Sequence, residues 1–471
     1  MKMATLIKGG TVVSSTGADA AEVLIDGEQI AAVLQPGSDI AVAAERGSEV
    51  VDATGRLVVP GGVDVHTHME LPFGGTLASD TFETGTRAAA WGGTTTIVDF
   101  AVQTAGQNVR ECLDAWMAKA EGNCAVDYGF HMILGGVDND ALKEMDLLVN
   151  EGITSFKLFM AYPGVMLSDD GQILRAMQQA AGNGGLIMMH AENGLAIDVL
   201  AAQAFERGET GPVNHGYVRR KELESEATHR AIQLAKVGAA PLYIVHLSAA
   251  EALEQVALAR DAGMNVFAET CPQYLHFSLE EHLDRPGFEG AAYVCSTPIR
   301  SREEGHQNAL WKGLRTNDLA VVSTDHCPFC MKEQKELGLG DFRAIPNGIG
   351  GVEHRMDLIF QGVVTGEIGL ARWVELCATT PARMMGMYPR KGIIAAGSDA
   401  DVVIYDPEHR WTISVDNHHM NIDHSAYEGV EVTGHVDTVF SRGRKIVNDG
   451  QYLGRAGDGQ YLPRGLCQYL Q

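Results

Sequence analysis

Residues 63–68 read VDVHTH, and how this stretch folds decides how the rest of the chain is read. Val63 and Val65 alternate with Asp64 and His66, the period of a β-strand. In a strand, successive side chains point to opposite faces, so His66 and His68 share one face. Seven more apolar, strand-like segments follow: TTTIVDF (94–100), VDYGFHMI (126–133), SFKLFM (155–160), LIMMHA (186–191), LYIVHLS (242–248), VFAETC (266–271) and AVVSTDH (320–326). Between them lie stretches such as TFETGTRAAAWGG (81–93) and HRAIQLAKVGAA (229–240), with helical apolar spacing and glycine stops. Eight strand–helix units over residues 61–389 predict an α/β fold, a (β/α)₈ TIM barrel with its active site at the C-terminal strand ends.

Outside this span the texture changes. Residues 1–60 carry short apolar runs with glycine turns, TLIKGGTVV and EVLIDGEQIAAVL among them, and residues 390–471 return to that character in GIIAAGSDADVVIYDP and DTVFSRGRKIVNDG. Both ends read as strands joined by tight turns, and their pairing into one β-sandwich domain is expected. The chain has 471 residues, 45% of them hydrophobic, enough for a substantial core. Lys and Arg number 36 against 61 Asp and Glu, a net charge of −25 that disfavours nucleic acid and anionic membranes as partners. No run reaches the roughly 18 apolar residues of a membrane span. The start, MKMATLIKGGTVV, lacks a signal-peptide apolar region, and eight scattered cysteines suggest no disulfide framework. A cytoplasmic enzyme is expected.

The polar residues near the ends of these strands form a set. His66 and His68 belong to the first strand, Lys157 to the fourth, His190 to the fifth, His246 to the sixth and Asp325 to the eighth. A single buried histidine is usually a hydrogen-bonded core residue, but several convergent polar strand ends are hard to explain by packing. Four imidazoles and a carboxylate suit two divalent cations, zinc above all. Two such ions carry four positive charges, of which Asp325 and a bridging hydroxide cancel only two. No Glu or other Asp is placed on those strands to close the gap. Lys157, among Phe156, Leu158, Phe159 and Met160, can supply the missing anion. Burial and nearby cations favour its neutral amine, which adds carbon dioxide to give a carbamate with two oxygens. The competing reading has Lys157 reaching out to solvent at the barrel mouth.

At this point the sequence resembles the cyclic amidohydrolases, and among them the dihydropyrimidinase/D-hydantoinase group. The likeness spans nearly the whole chain: PGGVDVHTH (60–68), PFGGT (72–76), FKLFMAYPG (156–164), HAEN (190–193), AETCPQYL (268–275), TDHCPF (324–329) and IPNG (345–348). The resemblance implies a barrel with a sandwich built from both termini, and two zinc ions bridged by carboxylated Lys157. By match, His66, His68, Lys157 and Asp325 hold one ion, and Lys157, His190 and His246 the other. Tyr162 matches an oxyanion-stabilising tyrosine, and Ser296 and Asn347 match positions that hold a cyclic amide. The expected reaction opens dihydropyrimidine or 5-substituted hydantoin rings to N-carbamoyl amino acids, with Asp325 moving the proton. Family members commonly assemble as homotetramers, so a tetramer or dimer is expected.

Leu71, Phe73 and Phe159 are apolar candidates for contact with the ring's exocyclic substituent. Allantoinase-like ureide hydrolysis is the nearest alternative. Dihydroorotase is disfavoured because Met69 and Glu70, not an arginine, follow His68. A non-catalytic scaffold of the dihydropyrimidinase-like kind is expected to lack ligands that are all present here. CPFC (327–330) is read as structural thiols. The histidine-rich NHHMNIDH (417–424) is read as a loop or interface away from the barrel strands.

Overall fold

The computed structural model describes residues 3–470. Eight parallel strands follow one another in a single sheet: β1 (Gly62–Thr67), β2 (Thr94–Val102), β3 (Asp127–Ile133), β4 (Ser155–Phe159), β5 (Leu186–His190), β6 (Leu242–Ile244), β7 (Val266–Thr270) and β8 (Val321–Val322). These are the eight segments expected from the sequence. Every residue of β1 to β5 is buried, as in a sheet covered on both faces, where strands read as continuous apolar runs. The ring closes just past β8. Thr67 and His326 form a parallel bridge, and the His68 amide donates to the His326 carbonyl at 2.8 Å.

Helices return the chain between strands and end where the sequence provides caps. Thr81 caps Phe82–Trp91, with Thr84 completing a capping box. Asp169 and Gln172 do the same for Asp170–Asn183, which stops at Gly184 in the left-handed region (φ 80°).

The termini meet as expected. A seven-stranded sheet runs Gln451–Tyr452, Arg444–Asn448, Glu431–Ser441, Val402–Thr412, Leu57–Pro60, Thr11–Ser14 and Gly17–Ala20, so strands from both chain ends are neighbours. A four-stranded sheet of Gln29–Leu34, Glu22–Asp26, Ala4–Lys8 and Ser48–Asp52 faces it. Ile7, Val23 and Ile25 of one sheet pack with Val58, Val402 and Phe440 of the other as a separate apolar core. Gly443 (φ 68°) lies against the Gly27 carbonyl, where a Cβ would collide.

A buried charge cluster ties these sheets to the barrel. Lys391 Nζ lies 2.6 Å from Asp127 on β3, 2.7 Å from Asp401 and 3.0 Å from Asp399, and Arg442 Nε meets Asp127 at 3.1 Å.

Candidate metal centre and active site

Strand alternation and the ends of the strands place the polar set together. His66 sits inside β1 and His68 one residue past it, both nearly fully buried. Pairing registers set Ile133 beside Lys157, and Phe159 beside His190. His246 and Asp325 lie just beyond β6 and β8, each with a positive backbone φ (39° and 51°), and Tyr162 after β4 has φ 62°. Non-glycine residues rarely adopt this conformation, and it concentrates at functional sites.

The resulting donor geometry is tight. His66 Nε2 lies 3.2 Å from His68 Nε2, 3.1 Å from Asp325 Oδ1 and 3.0 Å from Lys157 Nζ. Asp325 Oδ1 is 3.3 Å from His68 Nε2. Donors about 2.0–2.1 Å from one ion in a tetrahedron stand about 3.3 Å apart, so the three separations among His66, His68 and Asp325 match the edges of such a polyhedron. His66, His68 and Asp325 thus form a group able to hold a metal ion. The rings of His190 and His246 stand 4.6 Å apart, and that of His246 is 5.5 Å from His66, on the same cavity.

Carboxylates behind the imidazoles fix which nitrogen faces inward. His66 Nδ1 is bonded to Glu269 on β7, which also accepts from Tyr243 Oη (2.8 Å) and the His246 amide (3.2 Å). His190 Nε2 bonds Glu192 at 2.8 Å, and Arg219 pairs with the same carboxylate at 2.7 Å. Such partners set the ring tautomer and raise ligand basicity. Burial and Lys157 lower the basicity of His66, but Glu269 and Asp325 outweigh them and its pKa rises. A ring that favours a proton in this way favours a cation in its place. Burial lowers His68 to about 3 and pushes His246 well below its usual range, leaving neutral donors. The imidazoles overcome burial at Asp325 and keep it ionised.

Lys157 is 1% exposed, and its Nζ meets His66 rather than water. The reading in which it reaches solvent is therefore wrong. Burial pulls its pKa down to about 8, against the opposing pull of Asp325 and Glu269, so the neutral amine is accessible near neutral pH. Further acids do lie on the barrel strands. Asp64, Asp99 and Glu269 are on β1, β2 and β7, but each is already engaged. Asp64 accepts from Thr324, Asp99 from Thr67 and the Met69 amide, and Glu269 takes the outer nitrogen of His66.

Leu71, Phe73, Phe159, Tyr162, Ser296 and Asn347 all line the same cavity as His68, Lys157, His190, His246 and Asp325. Asn347 Nδ2 donates to Ser296 Oγ at 2.9 Å and approaches Tyr162 Oη at 3.5 Å. Burial raises the Tyr162 pKa, which keeps its phenol protonated as a donor. Glu269, Glu192 and Arg219 were not singled out from sequence, although the first two sit in the quoted AETC and HAEN segments. All eight cysteines are free, and Cys327 of CPFC is buried at the cavity wall. NHHMNIDH is a loop, but it packs on the barrel: His419 stacks on Trp91 at 3.9 Å, and the Asn421 amide donates to Asp80.

The model of the amidohydrolase family matches residues 57–446. The chain is 63% identical over 470 residues to D-hydantoinase from Streptomyces coelicolor, covering 100% of each. Its structure matches that of dihydropyrimidinase from Brevibacillus agri with a TM-score of 0.95 at 45% identity, over 98% of this chain and 99% of that one. It matches L-hydantoinase from Arthrobacter aurescens with a TM-score of 0.87 at 28% identity, over 98% and 100%. Family membership implies a binuclear metal site, in keeping with the clustered donors at the barrel mouth. The chain belongs to the amidohydrolase family, within its dihydropyrimidinase/D-hydantoinase group.

Proposed function

We propose that this enzyme opens dihydropyrimidine or 5-substituted hydantoin rings by hydrolysis, giving N-carbamoyl amino acids, and that it prefers D-configured substrates. The observation that carries the reading is Lys157, buried among imidazoles with Nζ 3.0 Å from His66 Nε2 and no carboxylate paired with it among the described residues. As a carbamate it would be a ligand shared by two divalent cations, for which zinc is the expected metal. His66, His68 and Asp325 would hold one ion with it, and His190 and His246 the other. When bound, the ions supply Lewis acidity and lower the pKa of water toward neutrality. The preference for D substrates rests on 63% identity to a D-hydantoinase against 28% to an L-hydantoinase.

The chain's own residues do the rest. The ring amide lies against Ser296 and Asn347, with its exocyclic substituent toward Leu71, Phe73 and Phe159. Tyr162 donates its phenol proton to the oxygen that gains charge as water attacks the ring carbonyl. Asp325, held ionised, takes the proton of the attacking water and delivers it to the departing ring nitrogen. A C–O bond forms, the C–N bond breaks, and the ring opens. In this reading residues 61–389 are the catalytic barrel, residues 1–60 and 390–471 a supporting β-domain, and the enzyme works in the cytoplasm as a homotetramer or homodimer.

Metal analysis together with assays on dihydrouracil, hydantoin and both enantiomers of phenylhydantoin tests this. Two zinc ions per chain and faster opening of the D enantiomer are expected. A metal-replete enzyme inert toward all four rings overturns it.

A further inference from the structure

Residues 332–336, KEQKE, look like an exposed charged loop, yet Lys335 is 0% exposed while Lys332, Glu333 and Glu336 around it face solvent. Its Nζ donates to three main-chain carbonyls, Val294 at 3.0 Å, Pro346 at 2.7 Å and Gly348 at 2.9 Å. No carboxylate pairs with it among the described residues. An ammonium has three N–H donors and no acceptor, so each donor is used, and the Phe329 ring centroid lies 5.8 Å from the charge. Burial pulls its pKa down to about 7, but a neutral amine would turn its lone pair toward one of the three oxygens, so the three accepting carbonyls call for the ammonium.

The position of these carbonyls matters more than their number. Val294 stands two residues before Ser296, and Pro346 and Gly348 bracket Asn347. The two segments already touch through the Gly348 amide to Val294 carbonyl bond (3.0 Å) and the Asn347–Ser296 bond. Lys335 fastens both from behind, outside the set of residues that line the cavity.

We propose that Lys335 is a positioning residue: its ammonium sets the spacing of the Ser296 and Asn347 segments, and through it the register in which they receive the ring amide. This rests on the functional reading above. It makes a specific demand: loss of the ammonium weakens binding of the ring itself, whatever substituent the ring carries, and leaves the metal centre intact.

Lys335→Met keeps the side-chain stem and removes the donors. In the metal-loaded enzyme, KM for hydantoin and for D-phenylhydantoin is expected to rise by about tenfold for both, the scale of one lost hydrogen bond to a charged group. Values of kcat and metal content should change far less. Lys335→Gln, which retains two donors, should fall between, and it serves as the test should the Met variant fail to fold. Wild-type KM in a folded, metal-replete variant overturns the inference, as does a rise confined to the substituted ring. Failure of the unmodified enzyme to open either ring overturns the functional reading instead, and this inference with it.

Discussion

Lys157 and Lys391 are each 1% exposed, and they belong to opposite chemical environments. Lys391 has Asp127, Asp401 and Asp399 within 3.0 Å; these carboxylates overcome burial and raise its pKa. Lys157 has an imidazole nitrogen as its nearest polar partner, and burial lowers its pKa to about 8. The first is fixed as a cation and braces the barrel against the terminal sheets. The second is left free to be neutral, the precondition for a carbamate. Burial alone therefore does not mark a lysine as functional; the company it keeps does.

That contrast can be broken at either end. The largest effect is expected from Lys157→Ala: kcat should fall by about 10⁴-fold or more, as when one member of a catalytic unit is removed, with short carboxylic acids restoring part of it. Full activity with both metals retained would place Lys157 in the same class as Lys391. Next comes Lys391→Met, which takes from buried Asp401 its cation and leaves Asp127 only Arg442, and should cost about 3–5 kcal/mol. It would appear as a lowered thermal midpoint with unchanged turnover per folded molecule, and a drop in turnover at unchanged midpoint would contradict the assignment. The smallest effect sharpens the metal end. Glu269→Gln keeps a partner for His66 Nδ1 but removes its charge, and should weaken metal binding by about 10–100-fold in chelator competition.

The sequence carried most of this architecture and an uneven share of the site. The first barrel strand was legible from the alternation of Val63 and Val65 with polar residues, and the others because strands buried on both faces stand out as largely apolar runs. His66 and His68 were legible because a spacing of two fixes a shared face. The same double burial hid Glu269: in a fully buried strand, alternation does not tell which neighbour a lone acid meets. Lys335 was hidden by its charged surroundings, which read as solvent-facing, and its three acceptors come from segments that only the folded chain brings together. Lys391 directly precedes a segment read for its apolar strand; that segment holds Asp399 and Asp401, but the third aspartate, Asp127, comes from β3. Local pattern shows which residues are buried more readily than what they are buried against.

The shared terminal sheet has a consequence for biosynthesis. Leu57–Pro60 is hydrogen-bonded on one side to Thr11–Ser14 and on the other to Val402–Thr412. On the ribosome, that second side has no partner until the entire barrel has been translated. The nascent N-terminal strands must therefore wait as an open edge, the kind of surface that invites pairing with other chains. The strand that covers this edge, Val402–Thr412, is made only after the whole barrel.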